Sequence, residues 1–219
     1  MVDSAIRTNG DAAMPEDAYQ TIVAEQETEI KILASRFLSY AFPCASAADF
    51  QQRLDGLRKQ HYNATHHCYA WRLGMDGDAF RYNDDGEPAG TAGKRILSSI
   101  DRLQLTDLGI VVVRYFGGTK LGVGGLSRAY SDAADAVLAL CAIERRFLTT
   151  TIALSFPYDM TSQVHHAIER HEAEILDRGW SEHAEYRVRL RRSRAEVFLV
   201  DVAELTQRQA VARREDEMA

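Results

Sequence analysis

Glycine is distributed unevenly along this chain. Nine of the 14 glycines in the 219-residue sequence lie between Gly86 and Gly125, and only Gly179 follows them. Because glycine has no Cβ atom, it adopts positive φ angles easily and lets a backbone or a ligand approach closely. Within this segment, residues 110–116 contain three consecutive valines, a pattern typical of a buried strand. A buried strand flanked by glycine loops is therefore expected, and any special site should lie there.

The hydrophobic pattern around this strand predicts a first domain over residues 19–145. Its predicted elements are strands at 29–42, 66–73 and 110–116, and helices at 46–60, at 89–103 and after the last glycines. Ser46 is the predicted capping residue of the first helix, whose apolar face carries Phe50, Leu54 and Leu57. Residues 1–18 are polar and lack periodicity, so a disordered arm is expected there.

A second domain is predicted over residues 146–219. Its expected elements are a strand at 147–156, a helix at 160–170, strands at 173–180 and 185–192 around a turn at Gly179, a helix through Leu205, and a strand at 209–214. Ser193 and Glu196 have the spacing of a capping box, which favours the helix, although residues 197–202 have strand propensity. This order is that of a ferredoxin-like domain, so we expect a two-domain α+β protein.

Composition narrows the function classes. The chain is 46% hydrophobic and 26% charged, which is inconsistent with a fully disordered protein. A net charge of −6 disfavours a protein that coats nucleic acid through bulk positive charge, but it leaves a local basic patch open. Three distant cysteines argue against a disulfide framework and a four-cysteine zinc site. The longest apolar run has eight residues and the N-terminus has no signal-peptide core, so a cytoplasmic location is expected.

The first motif with possible chemistry is NDDGEPAGTAG, which ends where a helix is expected to begin. In one interpretation, Asp85 and Glu87 hold a cation or a basic partner, and the helix start receives an anion. In the other, the motif is a tight turn and a helix cap, and the residues have only structural roles. The second interpretation is favoured on residue chemistry, because turn glycines and acids are common. The remaining candidate residues of this motif are Gly86, Gly90, Thr91 and Gly93.

The second motif is VVVRYFGGTKLGVGGLSRAY, in which a strand leads through a glycine loop into a helix. Phosphate-binding loops have this layout. The spacing does not match a P-loop and only approximates a dinucleotide-binding fingerprint. A packing joint between helix and strand is an equally good interpretation. The candidate anion-binding residues are Arg114, Gly117, Gly118, Lys120, Gly122, Gly124, Gly125, Ser127 and Arg128.

Two further segments have a weaker case. In HHCYAW, His66 and Cys68 share one face of a strand and His67 lies on the other, so the segment is expected to contribute core residues rather than a metal site or a nucleophile pair. Arg187, Arg189 and Arg191 alternate along a predicted strand. This arginine stripe is either a nucleic-acid-binding face or a solvated face paired with nearby carboxylates such as Glu182 and Glu185.

The first three motifs, in this order, resemble the IMPACT (YigZ-like) family. The resemblance rests on HHCxAW at residues 66–71, DDGEPAGTAG at 84–93 and VVVRYFGG…LGVGGL…AY at 111–130, and it extends more loosely over residues 31–142. It implies a first domain with a βαβ-type sandwich shared with a ribosomal-protein domain, and a second domain similar to a ferredoxin-like domain of elongation factor G. The related eukaryotic domain belongs to a regulator of translation initiation that binds the activator of an initiation-factor kinase.

Two functional hypotheses follow. The first is a non-enzymatic binding protein linked to translation that contacts RNA, the ribosome or a translation factor. The second is an enzyme or sensor for a small phosphorylated ligand at the glycine loops, where Asp85 and Glu87 could place Mg²⁺ and Arg114, Lys120 and Ser127 could receive phosphate. No catalytic residue, resident metal or cofactor is assigned, because no nucleophile or general base has an obvious partner. A structural role for all the glycine motifs is a third possibility.

Overall fold

A computed structural model of the chain describes residues 17–215. They form two compact units, one over Tyr19–Arg146 and one that contains Phe147 onward together with Asp17 and Ala18. The expected disordered arm lies outside the described residues except for its last two positions. None of the helices in residues 17–215 is long and apolar enough to span a bilayer.

The first unit is built on mixed strands and helices. Its elements, in chain order, are β1 (Ala18–Ile22), β2 (Gln26–Ile32), β3 (Ser35–Pro43), α1 (Ala47–Gln60), β4 (His66–Leu73), β5 (Ala79–Asn83), α2 (Gly93–Arg102), β6 (Leu108–Tyr115), α3 (Gly122–Leu138) and β7 (Ile143–Phe147). Strands β2-β3-β6-β4-β5 form an antiparallel sheet in that order, and β1 pairs with β7 in a separate two-stranded sheet.

Both faces of the five-stranded sheet are covered near its centre. Ile110 and Val112 of β6 pack with α2 and α3, whereas Val111 and Val113 pack with α1. Burial on both sides explains why β6 is apolar at consecutive positions instead of alternating. The predicted buried strand is therefore confirmed.

Helix α1 follows the local prediction closely. The Ser46 side chain accepts the backbone N–H of Asp49 at 3.1 Å, which caps the helix, and the face formed by Phe50, Leu54 and Leu57 is buried. Elsewhere the predicted boundaries shift. The single strand expected at 29–42 is the hairpin β2–β3, which turns at Leu33 with φ of +52°. Neither glycine nor proline marks that turn, so the pattern did not reveal it.

The second unit has the ferredoxin-like arrangement. Its elements are β8 (Thr149–Phe156), α4 (Thr161–Arg170), β9 (Glu174–Trp180), β10 (Ala184–Arg191), α5 (Ala195–Leu205) and β11 (Val211–Arg214), with strand order β11-β8-β10-β9. Apolar residues of β8 and β10 pack with α4 and α5 on one face of this sheet. The α+β fold class is confirmed.

Two local predictions in the second unit are wrong. Gly179 lies inside β9, opposite Glu185 of β10, and the connection between these strands lies after Trp180. Ser193 does not cap α5, because its hydroxyl and its backbone N–H both donate to the Asp17 carboxylate, at 2.6 and 3.1 Å. Residues 197–202 are helical, as the favoured alternative predicts.

Candidate functional site

The three sequence motifs of the first unit meet at the carboxylate of Glu87. Its Oε1 atom accepts hydrogen bonds from Arg114 Nη1 at 2.5 Å and from the Tyr130 hydroxyl at 2.8 Å. Glu87 is 8% exposed and Arg114 4% exposed. Residues that are far apart in sequence thus form one buried polar cluster, here called the Glu87 cluster.

Strand β4 contributes the third motif to this cluster. His66 Nε2 lies 3.8 Å from Glu87 Oε1, and His66 Nδ1 lies 2.7 Å from the Asp85 carbonyl oxygen. The Cys68 thiol donates to the Asp84 carbonyl at 3.0 Å and lies 3.3 Å from the Tyr130 hydroxyl. The alternation along β4 places His66 and Cys68 on the same side, as the sequence predicts.

The Arg114 guanidinium is buried and has its partners inside the protein. Its guanidinium lies 5.4 Å from the ring centroids of both Phe37 and Phe116, and its charge is paired with Glu87. A buried ion pair of this kind is costly to disrupt, because removal of one member leaves an uncompensated charge in a poorly solvated place. Arg114 and Glu87 therefore satisfy each other, in place of the phosphate and the cation considered from the sequence.

The start of α2 also has an internal partner. The Asp84 carboxylate accepts the backbone N–H groups of Gly90, Ala92 and Gly93 at 2.8–2.9 Å. The favoured interpretation of this motif, a tight turn and a helix cap, agrees with these contacts, and the anion at the helix start is a side chain of the same motif. Thr91 is buried and donates its hydroxyl to the Pro88 carbonyl at 2.6 Å.

Asp85 and its neighbour Gly86 form the tight turn of this motif, with φ angles of +45° and +87°. The Asp85 carboxylate accepts the His67 backbone N–H at 2.6 Å and lies 3.6 Å from Arg58 of α1. Arg58 was not identified from the sequence, because its helix precedes the motif by more than twenty residues and nothing local links the two.

The electrostatics of the cluster do not activate a nucleophile. Burial raises the pKa of the Cys68 thiol and of the Tyr130 hydroxyl above their ordinary values, so both groups remain protonated near neutral pH. Burial lowers the pKa of His67, which favours its neutral form. Over residues 17–215 there is no group of three or more His, Cys, Asp or Glu side chains placed to hold a metal ion.

The glycine loop of the second motif contains glycines of two kinds. At Gly117 a Cβ atom would overlap the carbonyl group of Ala34, so close backbone packing requires glycine there. By contrast, a Cβ atom at Gly118, Gly122 or Gly124 would have no heavy atom within 4 Å. Gly118 and Gly122 have φ angles of +86° and +69°, which favour glycine for conformational reasons. The surface beside these three glycines is open.

The start of α3 is exposed at Gly122, Val123 and Gly124 and has no side-chain cap. No described residue accepts the backbone N–H groups of Gly118 through Leu121. Lys120 and Arg128 line a cavity of about 300 Å³ here and form no ion pair within the described residues, and Asp132 is the acidic side chain in its lining. Ser127 is half-buried in the first turns of the helix, and a Cβ atom at Gly125 would lie 3.1 Å from Leu121 Cβ.

The arginine stripe lies on the uncovered face of the second unit's sheet, and Val188 and Leu190 lie on the buried face. Arg187 forms two hydrogen bonds to the Glu215 carboxylate, at 2.5 and 2.8 Å. Arg189 pairs with Glu174 at 2.6 Å, and the Arg191 guanidinium lies 3.6 Å from the centroid of the Phe147 ring. Each stripe arginine thus has a partner, and the two acidic partners differ from the Glu182 and Glu185 considered from the sequence.

Comparison with known proteins gives the chain a family. The model of the Impact N-terminal domain matches residues 33–138. IMPACT family member YvyE of Bacillus subtilis is 32% identical over 189 residues, which is 86% of this chain and 87% of that protein. Protein IMPACT homolog of Saccharomyces cerevisiae is 34% identical over 109 residues, covering 48% of this chain and 42% of that protein.

A solved structure shares the fold. It is described as the crystal structure of a hypothetical protein, and it superposes with a TM-score of 0.65 at 26% identity. The superposition covers 90% of this chain and 96% of that one. The identity to YvyE over most of both sequences, together with the match of residues 33–138 to the Impact N-terminal domain, shows that the chain belongs to the IMPACT family.

Proposed function

We propose that this protein is a non-enzymatic binding protein that acts in translation, and that it contacts RNA through the glycine loop at the start of α3. The link to translation is what the family resemblance implies, because the related eukaryotic domain belongs to a regulator of translation initiation. The contact with RNA is argued from the charges and hydrogen-bonding groups of the surface itself.

A binding role is favoured over catalysis by the state of the Glu87 cluster. A catalytic nucleophile needs a lowered pKa or a base within hydrogen-bonding reach. Cys68 and Tyr130 instead have raised pKa values, and the Glu87 carboxylate is already paired with Arg114. The cluster therefore supports the loops around it and does not offer a reactive group to a substrate.

The observation that carries the proposal is the combination of groups at the start of α3. Backbone N–H groups of Gly118 through Leu121 have no acceptor in the described part of the chain, and Lys120 and Arg128 beside them have no carboxylate partner. Free N–H groups at a helix start and nearby cations bind phosphate oxygens. Glycine at 122 and 124 leaves room for a phosphate to reach the backbone.

The arginine stripe is the weaker RNA surface of the two. The uncovered face of the second sheet carries Arg187, Arg189, Arg191 and Arg213, and in the described residues the same face carries Glu174, Asp177, Glu185 and Glu215. Its charges balance, so it attracts a polyanion less than a surface with unpaired cations does.

The proposal is tested by the binding of a fluorescent single-stranded RNA over a series of salt concentrations. Replacing Lys120 and Arg128 with alanine should weaken binding and lower the slope of log affinity against log salt by about 1.4, which corresponds to two lost phosphate contacts. The matched control replaces Lys59 and Arg145, which are exposed and also form no ion pair in the described chain. Equal weakening in both variants, or no binding by the wild type, would reject the proposed site.

A small phosphorylated ligand is the second candidate, because a cavity of about 300 Å³ beside Lys120 and Arg128 has room for one. Mg²⁺ held by Asp85 and Glu87 is not part of this version, since those carboxylates contact Arg58 and Arg114. A ligand that binds only the folded protein raises its stability by about 2.7 kcal/mol at one hundred times its Kd. Thermal unfolding with a panel of millimolar nucleotides measures this, and no shift across the panel would reject it.

A further inference from the structure

Strand β5 exposes two aromatic side chains at the edge of the first unit's sheet. Phe80 is 55% exposed and Tyr82 42% exposed. β5 pairs with β4 on one side only, and all five of its residues are exposed. Large apolar side chains grouped on an open edge are unfavourable in water and often mark a binding surface.

The two rings point to the same side of the sheet. In the strand register, Tyr82 lies opposite Ala70 and Phe80 opposite Arg72, two positions apart on each strand. Ala70 belongs to the core beneath α2 and α3, so both rings lie on the α2 side. Two positions along a strand separate them by about 7 Å. This spacing allows two successive bases of an extended nucleic-acid strand to stack, one on each ring.

The same edge carries cations without partners. A Cβ atom at Gly93 would lie 2.6 Å from the backbone N and O atoms of Asn83, so the first turn of α2 abuts the end of β5. Lys94 and Arg95 follow Gly93 directly and are exposed. Neither of them forms an ion pair within residues 17–215, and the same holds for Arg81 on the opposite side of β5.

The acidic groups near this edge lie on α2, in the connection before β5 and directly after β5. Asp101 of α2 is paired with Arg72 at 3.2 Å. Asp76 and Asp78 lie in the connection between β4 and β5, at the end of the strand away from Gly93. Asp84, the residue after β5, accepts three backbone N–H groups at the start of α2. Within residues 17–215, Lys94 and Arg95 form no ion pair with it, so the end of β5 beside α2 combines aromatic rings with cations that are not in ion pairs.

We infer that this edge is a stacking platform for single-stranded RNA, with bases on Phe80 and Tyr82 and the phosphate backbone beside Lys94. The inference rests on the proposed function. It adds a second RNA contact and a preference for single strands over duplexes. Exposed aromatic rings interleaved with cations bind single strands, because unpaired bases stack on the rings while phosphates pair with the cations. A duplex keeps its base faces inside, so it cannot use the rings.

The test measures binding of three oligomers by fluorescence anisotropy: a 12-residue oligouridylate, an abasic strand with the same number of phosphates, and a duplex. Phe80→Ala with Tyr82→Ala should lower oligouridylate affinity about tenfold or more. The salt slope and the affinity for the abasic strand should not change, because no cation is removed. Tyr62→Ala, at an aromatic residue 83% exposed elsewhere on the unit, is the matched control and should bind like the wild type.

Two further variants separate stacking from other effects. Phe80→Tyr with Tyr82→Phe keeps both rings and should keep the affinity, whereas Phe80→Leu with Tyr82→Leu keeps apolar bulk and should lose it. A leucine variant that binds normally would overturn stacking and indicate an apolar contact of the kind that a protein partner makes. Phe80→Trp adds a fluorophore to the platform. Oligouridylate should quench its emission, whereas the abasic strand should not.

The outcomes distinguish this inference from the proposed function. If the alanine pair at 80 and 82 binds oligouridylate like the wild type while the variant at Lys120 and Arg128 is weakened, the platform is rejected and the proposed function stands. If the wild type prefers the duplex, or binds no RNA, the platform is rejected as well, and absence of all binding rejects the proposed function too.

Discussion

Glu87 and Arg114 form a buried ion pair, with 2.5 Å between Oε1 and Nη1, that joins the acidic glycine motif to the central strand of the sheet. Tyr130 donates a second hydrogen bond to the same oxygen, so α3 is tied to the pair. The pair fixes the positions of the two glycine loops relative to one another. Its loss should therefore lower the stability of the fold more than it weakens binding.

Replacement of Arg114 with methionine should destabilise the protein by about 3–5 kcal/mol, because the Glu87 carboxyl would be left buried without its partner. The measurement is the free energy of unfolding from urea titration. The double variant Glu87→Gln with Arg114→Met should lose less than the sum of the single losses. A loss from Arg114→Met no greater than that from Arg189→Ala, which breaks an exposed pair, would show that the buried pair does not hold the loops.

The Asp84 carboxylate accepts three backbone N–H groups at the start of α2, so Asp84→Ala should cost about 2 kcal/mol of stability. Amide hydrogen exchange should quicken first in the initial turn of α2. The control is Asp76→Ala, at an exposed aspartate in the connection between β4 and β5. Unchanged exchange at residues 92–95 in Asp84→Ala would mean that this helix start needs no cap.

Three glycine-to-alanine variants separate structural from binding roles. Gly117→Ala should destabilise the fold severely, because its Cβ atom would overlap the Ala34 carbonyl. Gly124→Ala should stabilise α3 by about 0.5–1 kcal/mol, since the site is helical and open, yet it should weaken RNA binding by obstructing the loop. Gly56→Ala, in an equally open position of α1, should stabilise without changing RNA affinity. RNA binding unaffected by Gly124→Ala would argue against backbone contact with phosphate.

Stability should fall when the pH decreases from about 6.5, the ordinary pKa of histidine. Burial lowers the pKa of His67 in the folded protein, and that of His61 in the same direction, so the unfolded chain takes up protons first. As far as these histidines are concerned, the free energy of unfolding has its full value above about pH 6.5. It decreases as the pH falls from there towards their folded-state pKa values. Urea midpoints between pH 7.5 and 5.5 measure this, and His67→Gln should flatten the profile while His183→Gln, at an exposed site, should not. A profile left unchanged by His67→Gln would exclude His67 as its source.

Local patterns in the sequence are sufficient to predict structure where the interacting groups are close together along the chain. Ser46 and the helix that it caps are of this kind, as is the two-sided burial of β6. The sequence also favours a cap at the start of α2, but nothing local shows that the capping side chain is Asp84, eight residues before Ala92. In β5, Phe80 and Tyr82 alternate with Arg81 and Asn83, but the strand has only five residues and buries neither side. So short an alternation is a weak signal, and neither the strand nor the role proposed for Phe80 is predicted from the sequence.

Two positive charges can be removed from the arginine stripe, as many as in the variant at Lys120 and Arg128 but from a different surface. Arg187→Gln with Arg189→Gln should lower RNA affinity less than about threefold, since those arginines already face Glu215 and Glu174 on a face whose charges balance. The double variant at Lys120 and Arg128 also removes two charges, but from side chains that form no ion pair. Its RNA affinity should fall more than tenfold, and its salt slope should be smaller. Both variants are measured by anisotropy with the same oligouridylate at matched salt. A larger loss in the stripe variant would move the RNA interface to the second unit's sheet, because exposed ion pairs exchange carboxylate for phosphate readily when the polyanion binds there.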